Sequence, residues 1–267
     1  MLSTLRAELQ AVWRARALLR LMVRRELAAR HAGSLLGVIW LYVQPLLMIG
    51  AYYLVFDVVF KMRLGDSAPT RAVGAYLIVG MVPWIAFSEA VSRGMGSLLE
   101  AGTLLQKNPL PPGLFPARAV LTSAAIYLPL SLVLVVAYSG LHRFSPALLL
   151  LPPLLALMLA VWFVLAYALA ILAAALRDVI QIVGFFLAIG VFISPVLFPP
   201  AMFPSSIEWL LWVNPITPGV LGLQSLLLTG KPPPIEAWVG LLAWLVVLVA
   251  LLDRLIVRSR EQLVDWL

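Results

Sequence analysis

The sequence contains no cysteine and only two histidines among its 267 residues. Without cysteine there is neither a disulfide framework nor a thiolate metal site. His31 and His142 each stand far from any Asp, Glu or His at ligand spacing, so both are read as interfacial side chains and no metal site is expected. Charge is also scarce, at 12% of residues, where a soluble domain carries roughly 25%. No G-x-x-x-x-G-K-S/T phosphate loop occurs: Gly230-Lys231 runs into Pro232, and no glycine stands at position 225. No D-x-D or D-D-x-x-D pair is available to hold a metal-bound diphosphate. The chain therefore has no nucleotide-hydrolysing site and lacks the acidic cluster that a membrane enzyme acting on lipid-linked sugars needs.

Apolar residues dominate what is there. Hydrophobic types make up 63% of the chain, with a mean hydropathy of +1.03. The uncharged runs Ala32–Phe56, Ala119–Leu141, Phe144–Leu176 and Val179–Ile207 each reach or exceed the roughly 20 residues that cross a bilayer. A multispanning membrane protein follows. The net charge of +7 does not point to nucleic acid, because seven of the 19 basic residues fall in the first 30 positions: Arg6, Arg14, Arg16, Arg20, Arg24, Arg25 and Arg30. Basic charge beside a span is the retention signal of the cytoplasmic side. No short apolar stretch with a small-residue cleavage site precedes residue 32, so no cleavable signal peptide is expected.

Residues 1–20 read as a helix with Leu2, Leu5, Leu9, Val12 and Trp13 along one stripe and Arg6, Glu8, Arg14 and Arg16 off it. Such a basic amphipathic helix lies in the membrane surface, or is simply solvated. Spans are expected at about Leu35–Phe60, Val73–Leu99, Pro116–Leu141, Leu149–Leu176, Val179–Leu197 and Ala237–Val257. The uncharged stretch Trp209–Gly230 is divided by Asn214-Pro215 and Pro218-Gly219, and Pro199, Pro200 and Pro204 lie just upstream. Proline removes a backbone donor and clashes with the preceding turn, so this stretch reads as two short re-entrant helices. Six spans place 13 basic residues on the side of both termini and five on the other. A seventh span would weaken that asymmetry. The expectation is an all-α integral membrane protein of six transmembrane helices, with an N-terminal amphipathic interface helix and a short-helix gate before the last span. It forms a single transmembrane domain over 1–267, in which 1–31 is the interface helix, 100–117 a cytoplasmic loop and 198–230 the external gate hairpin. No internal repeat or second domain is evident.

Asp57, Glu89 and Arg93 are the ionisable groups placed inside spans, too few for the chain of acids and histidines that proton-coupled carriers use. Glu89 and Arg93 stand at i, i+4 and face the same way, either as a mutually neutralising pair or as part of a pathway. Glu89 lies roughly 24 Å below Val73 along a helix. Deep aromatics including Tyr52, Tyr53, Phe87, Tyr127, Phe185 and Phe186 either pack the bundle or line a channel. Rings with phenolic hydroxyls would suit a sliding sugar chain.

From Arg24-Arg25-Glu26 through Arg30-His31-Ala32-Gly33-Ser34-Leu35-Leu36-Gly37, Trp40 and Gln44-Pro45-Leu46, the sequence resembles permease subunits of type 2 ABC exporters for surface polysaccharides. Further matches follow in order: Pro83-Trp84 with Phe87, Leu104-Leu105-Gln106-Lys107-Asn108-Pro109-Leu110-Pro111, Arg177-Asp178, Ser194-Pro195 and Asn214-Pro215. The likeness is greatest to O-antigen exporter permeases, with capsule and teichoic-acid permeases as near relatives and drug or lipid exporters sharing the fold. The resemblance implies a homodimer joined to two copies of a separate ATPase, which holds the ATP and Mg, so that this chain is no enzyme and carries no cofactor. It implies a polysaccharide carried on undecaprenyl diphosphate as substrate. It also implies a bacterial inner-membrane location, multi-pass, with both termini cytoplasmic. By position, Leu104, Leu105, Gln106, Lys107, Asn108 and Pro109 match the segment that touches the ATPase. The stretch holding Pro199, Pro200, Trp209, Trp212, Asn214 and Pro215 matches the outer gate. A departure is the Asn108–Pro112 stretch, richer in proline than the usual coupling segment. A diphosphate arriving from the inner leaflet needs cations at that depth, and Arg24, Arg25, Arg30 and His31 stand there, with guanidinium favoured for its forked donors. Positive-inside retention alone would also account for them.

Overall fold

A computed structural model describes residues 2–30, 33–35, 37–65, 68–142, 145–259 and 262–267. Among these residues the chain is helical apart from turns and one isolated antiparallel bridge between Arg63 and Ala72. His31 lies outside the described residues.

The N-terminal helix is two helices. α1 (Leu2–Arg14) and α2 (Arg16–Ala29) meet at Ala15, whose φ of −86° and ψ of 14° leave the helical region. The apolar stripe of α1 is shared between two environments. Leu5 is buried and Val12 packs on the bundle, whereas Leu9 is exposed and Trp13 is 70% exposed.

After a single 3₁₀ turn at Gly37–Ile39, α3 (Trp40–Tyr52) passes directly into a π-helical segment, Tyr53–Val59. Leu41 is the one buried residue of α3. The helix is pinned at two points. The Tyr42 hydroxyl donates to the Ala125 carbonyl at 3.3 Å, which is the acceptor that Pro129 leaves unpaired four residues later in α6. At the other end, Asp57 Oδ1 accepts from Gly74 N at 3.1 Å in the first turn of α4. The Asp57 carboxylate fills the space where a Cβ at Gly74 would sit.

α4 (Val73–Glu100) is the central helix, buried along most of its length and packed between α6 (Leu114–His142) and α7 (Leu151–Ala175). Small residues bring the helices together: a Cβ at Gly94 would stand 2.7 Å from the Ala166 Cβ. Ser123 of α6 donates to the Ala86 carbonyl of α4 at 2.8 Å.

α8 runs only from Asp178 to Gly190, about 20 Å. The expected span Val179–Leu197 therefore stops seven residues early as a helix. Gly190 meets the Trp84 ring so closely that a Cβ would lie 2.7 Å from it, and Pro195 cannot donate to a continuing helix. The turns after Gly190 are held by the Pro195 carbonyl, which accepts from Tyr76 Oη at 2.8 Å and Gln224 Nε2 at 2.7 Å. Trp209–Gly230 divides into α9 (Trp209–Val213) and α10 (Thr217–Gln224). A π turn, Ser225–Thr229, follows and ends on Gly230 at φ 64°. α11 (Ile235–Ser259) then packs on α7, and α12 (Leu263–Trp266) reaches α5 (Gly102–Lys107). Among the described residues, five helical segments are long and apolar enough to cross a bilayer: Trp40–Val59, Val73–Glu100, Leu114–Tyr138, Pro146–Ala175 and Ile235–Ser259. Asp253, absent from the expected set of intramembrane charges, is buried in α11 at 3% exposure.

Candidate functional site

α1, α2, α5 and α12 gather at one end of the bundle, the basic end, where an ion-pair network joins three elements. Glu26 of α2 stands at its centre. Its carboxylate lies 3.5 Å from Arg30 of the same chain turn, 2.7 Å from Arg93 of α4 and 2.9 Å from Arg118 of α6. The carboxylate is only 11% exposed. Arg30 also meets Glu89 at 2.5 Å, and Arg118 reaches Glu100 at 3.5 Å. Three guanidinium groups thus face three carboxylates, and the cluster is formally neutral. The i, i+4 pairing of Glu89 with Arg93 does not form. Each instead takes a partner from the α2 segment, because Arg30 and Glu26 approach α4 from the side and bring the opposite charge to each.

Beside this network lies a cavity of about 390 Å³ between α3, α4 and α6, within the roughly 300–1,000 Å³ of small-molecule sites. Arg30, Glu89 and Arg93 line its charged side. Trp40 and Gln44 from α3 and Tyr127 from α6 also line it, with apolar side chains such as Met48 and Ile85, and the Tyr127 side chain hydrogen-bonds Glu89. Of the expected site residues, the cavity brings together Arg30, Glu89, Arg93 and Tyr127. Arg24 and Arg25 are exposed on α2. The remaining aromatics stand elsewhere. Tyr52 stacks on Phe56, Tyr53 is exposed, and Phe185 and Phe186 form an exposed edge-to-face pair on α8. Phe87 is buried in the core between Trp84 and Trp162. Among the described residues no three His, Asp or Glu side chains assemble as a metal-ligand set.

The family profile described as ABC-2 type transporter matches residues 17–228, from α2 into the π turn Ser225–Thr229. The chain belongs to the ABC-2 type transporter family. It is 30% identical over 255 residues to the O-antigen export system permease protein RfbA of Myxococcus xanthus, a match covering 94% of this chain and 95% of the relative. Two proteins of the same description from Klebsiella pneumoniae are 23% and 22% identical over 216 residues, covering 80% of this chain and 81% of each relative.

Two further parts of this ABC-2 permease hold expected residues. In α5 the helix stops at Lys107 because Asn108 turns extended before Pro109, and the Asn108 side chain donates back to the Leu104 carbonyl at 3.2 Å. Leu105 packs on the core while Leu104, Gln106, Lys107, Asn108 and Pro109 face outward. At the opposite end, Asn214 Nδ2 donates to the Gly190 carbonyl at 3.3 Å, and its Oδ1 accepts from Ile216 N at 3.4 Å. Trp244 of α11 holds the Trp212 carbonyl at 3.1 Å. Pro199 is buried, Pro200 and Pro215 are half-buried, and Trp209 and Trp212 are exposed.

Sequence reasoning missed Glu26, Gln44 and Arg118 as site residues. Glu26 and Gln44 sat within matched motifs, but only their basic and proline neighbours suggested chemistry. Arg118 had no sequence-local partner to mark it.

Proposed function

We propose that this chain is the membrane-spanning subunit of an ATP-driven exporter that carries a surface polysaccharide, linked to undecaprenyl diphosphate, across the bacterial inner membrane. The observation that carries this reading is the end-to-end match to a named O-antigen export permease, over 94% of this chain and 95% of the relative. The cavity adds support: cations and sugar-compatible rings meet in one recess beside the basic end.

In this reading the basic end is cytoplasmic, as are both termini, in keeping with the distribution of Lys and Arg. α8 and the turns through Pro199 together make the fifth of six crossings, and α9 and α10 form the outer gate. Two chains pair as a homodimer and engage two copies of a separate ATPase that binds ATP and Mg. α5 receives the force: an inward-facing Leu105 anchors it to the core, and its outward residues meet the ATPase. Arg24 and Arg25, exposed on α2, make first contact with the diphosphate. His31 belongs to the same stretch by sequence. Arg30 and Arg93 receive the diphosphate after it displaces Glu26 and Glu89. Tyr52, Tyr53, Phe185 and Phe186 line the passage once the subunits are assembled, whereas Phe87 is enclosed in the core and does not.

The test is deletion of the gene, complementation, and an immunoblot of surface polysaccharide. Deletion should abolish the surface polymer and leave lipid-linked polymer inside the cell. Arg25→Ala or Arg30→Ala should reduce export at least several-fold while the ATPase still co-purifies. Normal surface polysaccharide in the deletion strain overturns the reading. Normal export in both arginine variants removes the diphosphate assignment alone.

A further inference from the structure

The cavity is lined by two chemically distinct sets of side chains, and the diphosphate accounts for only one of them. Its guanidinium groups are already matched to carboxylates, Arg30 to Glu89 and Arg93 to Glu26. An anion that binds there exchanges one set of partners for another, and Glu89 is then left facing the cavity without its cation. The uncharged lining adds an indole, a carboxamide and a phenol, Trp40, Gln44 and Tyr127, the last hydrogen-bonded to Glu89 and so joining the two sets. Gln44 follows Trp40 by four residues, so the two share a face of α3, with the amide about 6 Å deeper. It is exposed and has no hydrogen-bond partner among the described residues. A carboxamide without a partner is costly in a membrane-spanning segment, and this one lines a recess large enough for a small molecule.

We propose that Trp40, Gln44 and Tyr127 bind the sugar residue directly attached to the diphosphate, so that the cavity recognises a glycosyl diphosphate head rather than a diphosphate alone. This rests on the export reading given above. A pyranose ring offers a C–H face for the exposed indole of Trp40. Its hydroxyls match both the donor and the acceptor of the Gln44 amide and the Tyr127 hydroxyl. The Glu89 carboxylate, once Arg30 turns to phosphate, accepts from a further hydroxyl. The two exchanges fit together: phosphate takes the arginine, and the sugar takes the glutamate that the arginine leaves. An ordinary phospholipid head supplies phosphate but nothing for the amide and the ring.

Three probes separate these chemistries on the full chain in nanodiscs, with bound lipid measured by native mass spectrometry: undecaprenyl diphosphate bearing one hexose, bare undecaprenyl diphosphate, and phosphatidylethanolamine. The glycosylated lipid should bind at least ten-fold more tightly than the bare one. Gln44→Ala and Trp40→Leu should each erase most of that preference while leaving affinity for the bare lipid unchanged, and Tyr127→Phe should erase part of it. Gln44 and Trp40 are exposed on α3, so these variants keep the fold. Equal binding of the two undecaprenyl lipids to the unaltered chain overturns the proposal while leaving the diphosphate reading intact. Parallel loss of both lipids in Gln44→Ala also overturns it. If phosphatidylethanolamine competes equally with both, the diphosphate reading falls together with the sugar subsite.

Discussion

Glu26 lies within 3.5 Å of arginines from the α2 segment, α4 and α6, and its own side chain is nearly buried. A carboxylate so placed does more than neutralise one partner, since it is the shared counter-ion that lets three cations approach one another. Breaking a buried pair from one side leaves uncompensated charge, at a cost of about 3 kcal/mol. Glu26→Ala should therefore lower the melting temperature of the purified chain and expose α2 to proteolysis. Arg118→Ala made on top of it should cost much less than it does in the unaltered chain, because the two residues share one interaction. Additive effects in that double-mutant cycle would show that Glu26 and Arg118 act independently. Only the Glu26–Arg30 pair, at i, i+4, was readable from spacing. The i, i+4 rule correctly put Glu89 and Arg93 on one face, but it could not show that another helix delivers a better partner to each. Arg30, which the structure places at the cavity, drew attention in the sequence because basic character beside the first span is a local feature.

The long helices were also legible, because uninterrupted apolar runs leave the backbone no solution in a membrane except helix. Val73–Glu100 begins where the sequence predicted and ends one residue beyond. What spacing could not supply were the interruptions that depend on contact: the kink at Ala15, the π segment after Tyr52, and the end of α8 at Gly190 against Trp84. The division of Trp209–Gly230 was visible because prolines announce it locally. Packing of α4 on α7 rests on a comparable contact. At Gly94 a Cβ would sit 2.7 Å from the Ala166 Cβ, so a larger side chain must push the two helices apart. Gly94→Leu should destabilise the chain by about 1–3 kcal/mol through overpacking, read as a lower melting temperature and a lower yield of monodisperse protein in detergent. Ala166→Gly should restore part of the loss by clearing the space. An unchanged melting temperature for Gly94→Leu would mean that the α4–α7 contact is looser than its geometry.

At the scale of the whole molecule, outward-facing apolar side chains are the norm in a bilayer, so exposure alone does not mark a subunit contact. Backbone is the better guide. α8 spans only about 20 Å, and the turns that follow carry exposed Phe192 and Phe198. Irregular backbone at membrane depth persists only where protein or a water-filled cavity covers it. Within one chain, α4 and α10 cover the Pro195 side, and the side of Phe185 and Phe192 is left open. The exposed side of α11 is different: Val239, Leu242, Val246 and Val247 are apolar and the helix is regular, which suits lipid. A two-fold pairing in the proposed homodimer should therefore bury the α8 face and leave this side of α11 to the bilayer. The absence of native cysteine makes the test direct. Phe185→Cys and Phe192→Cys, introduced singly and oxidised in membranes, should give a species of twice the chain mass, whereas Val246→Cys should remain monomeric. Dimer formation through Val246→Cys with none through the α8 positions would move the interface to α11. The second copy would then play no part in shielding the turns after α8.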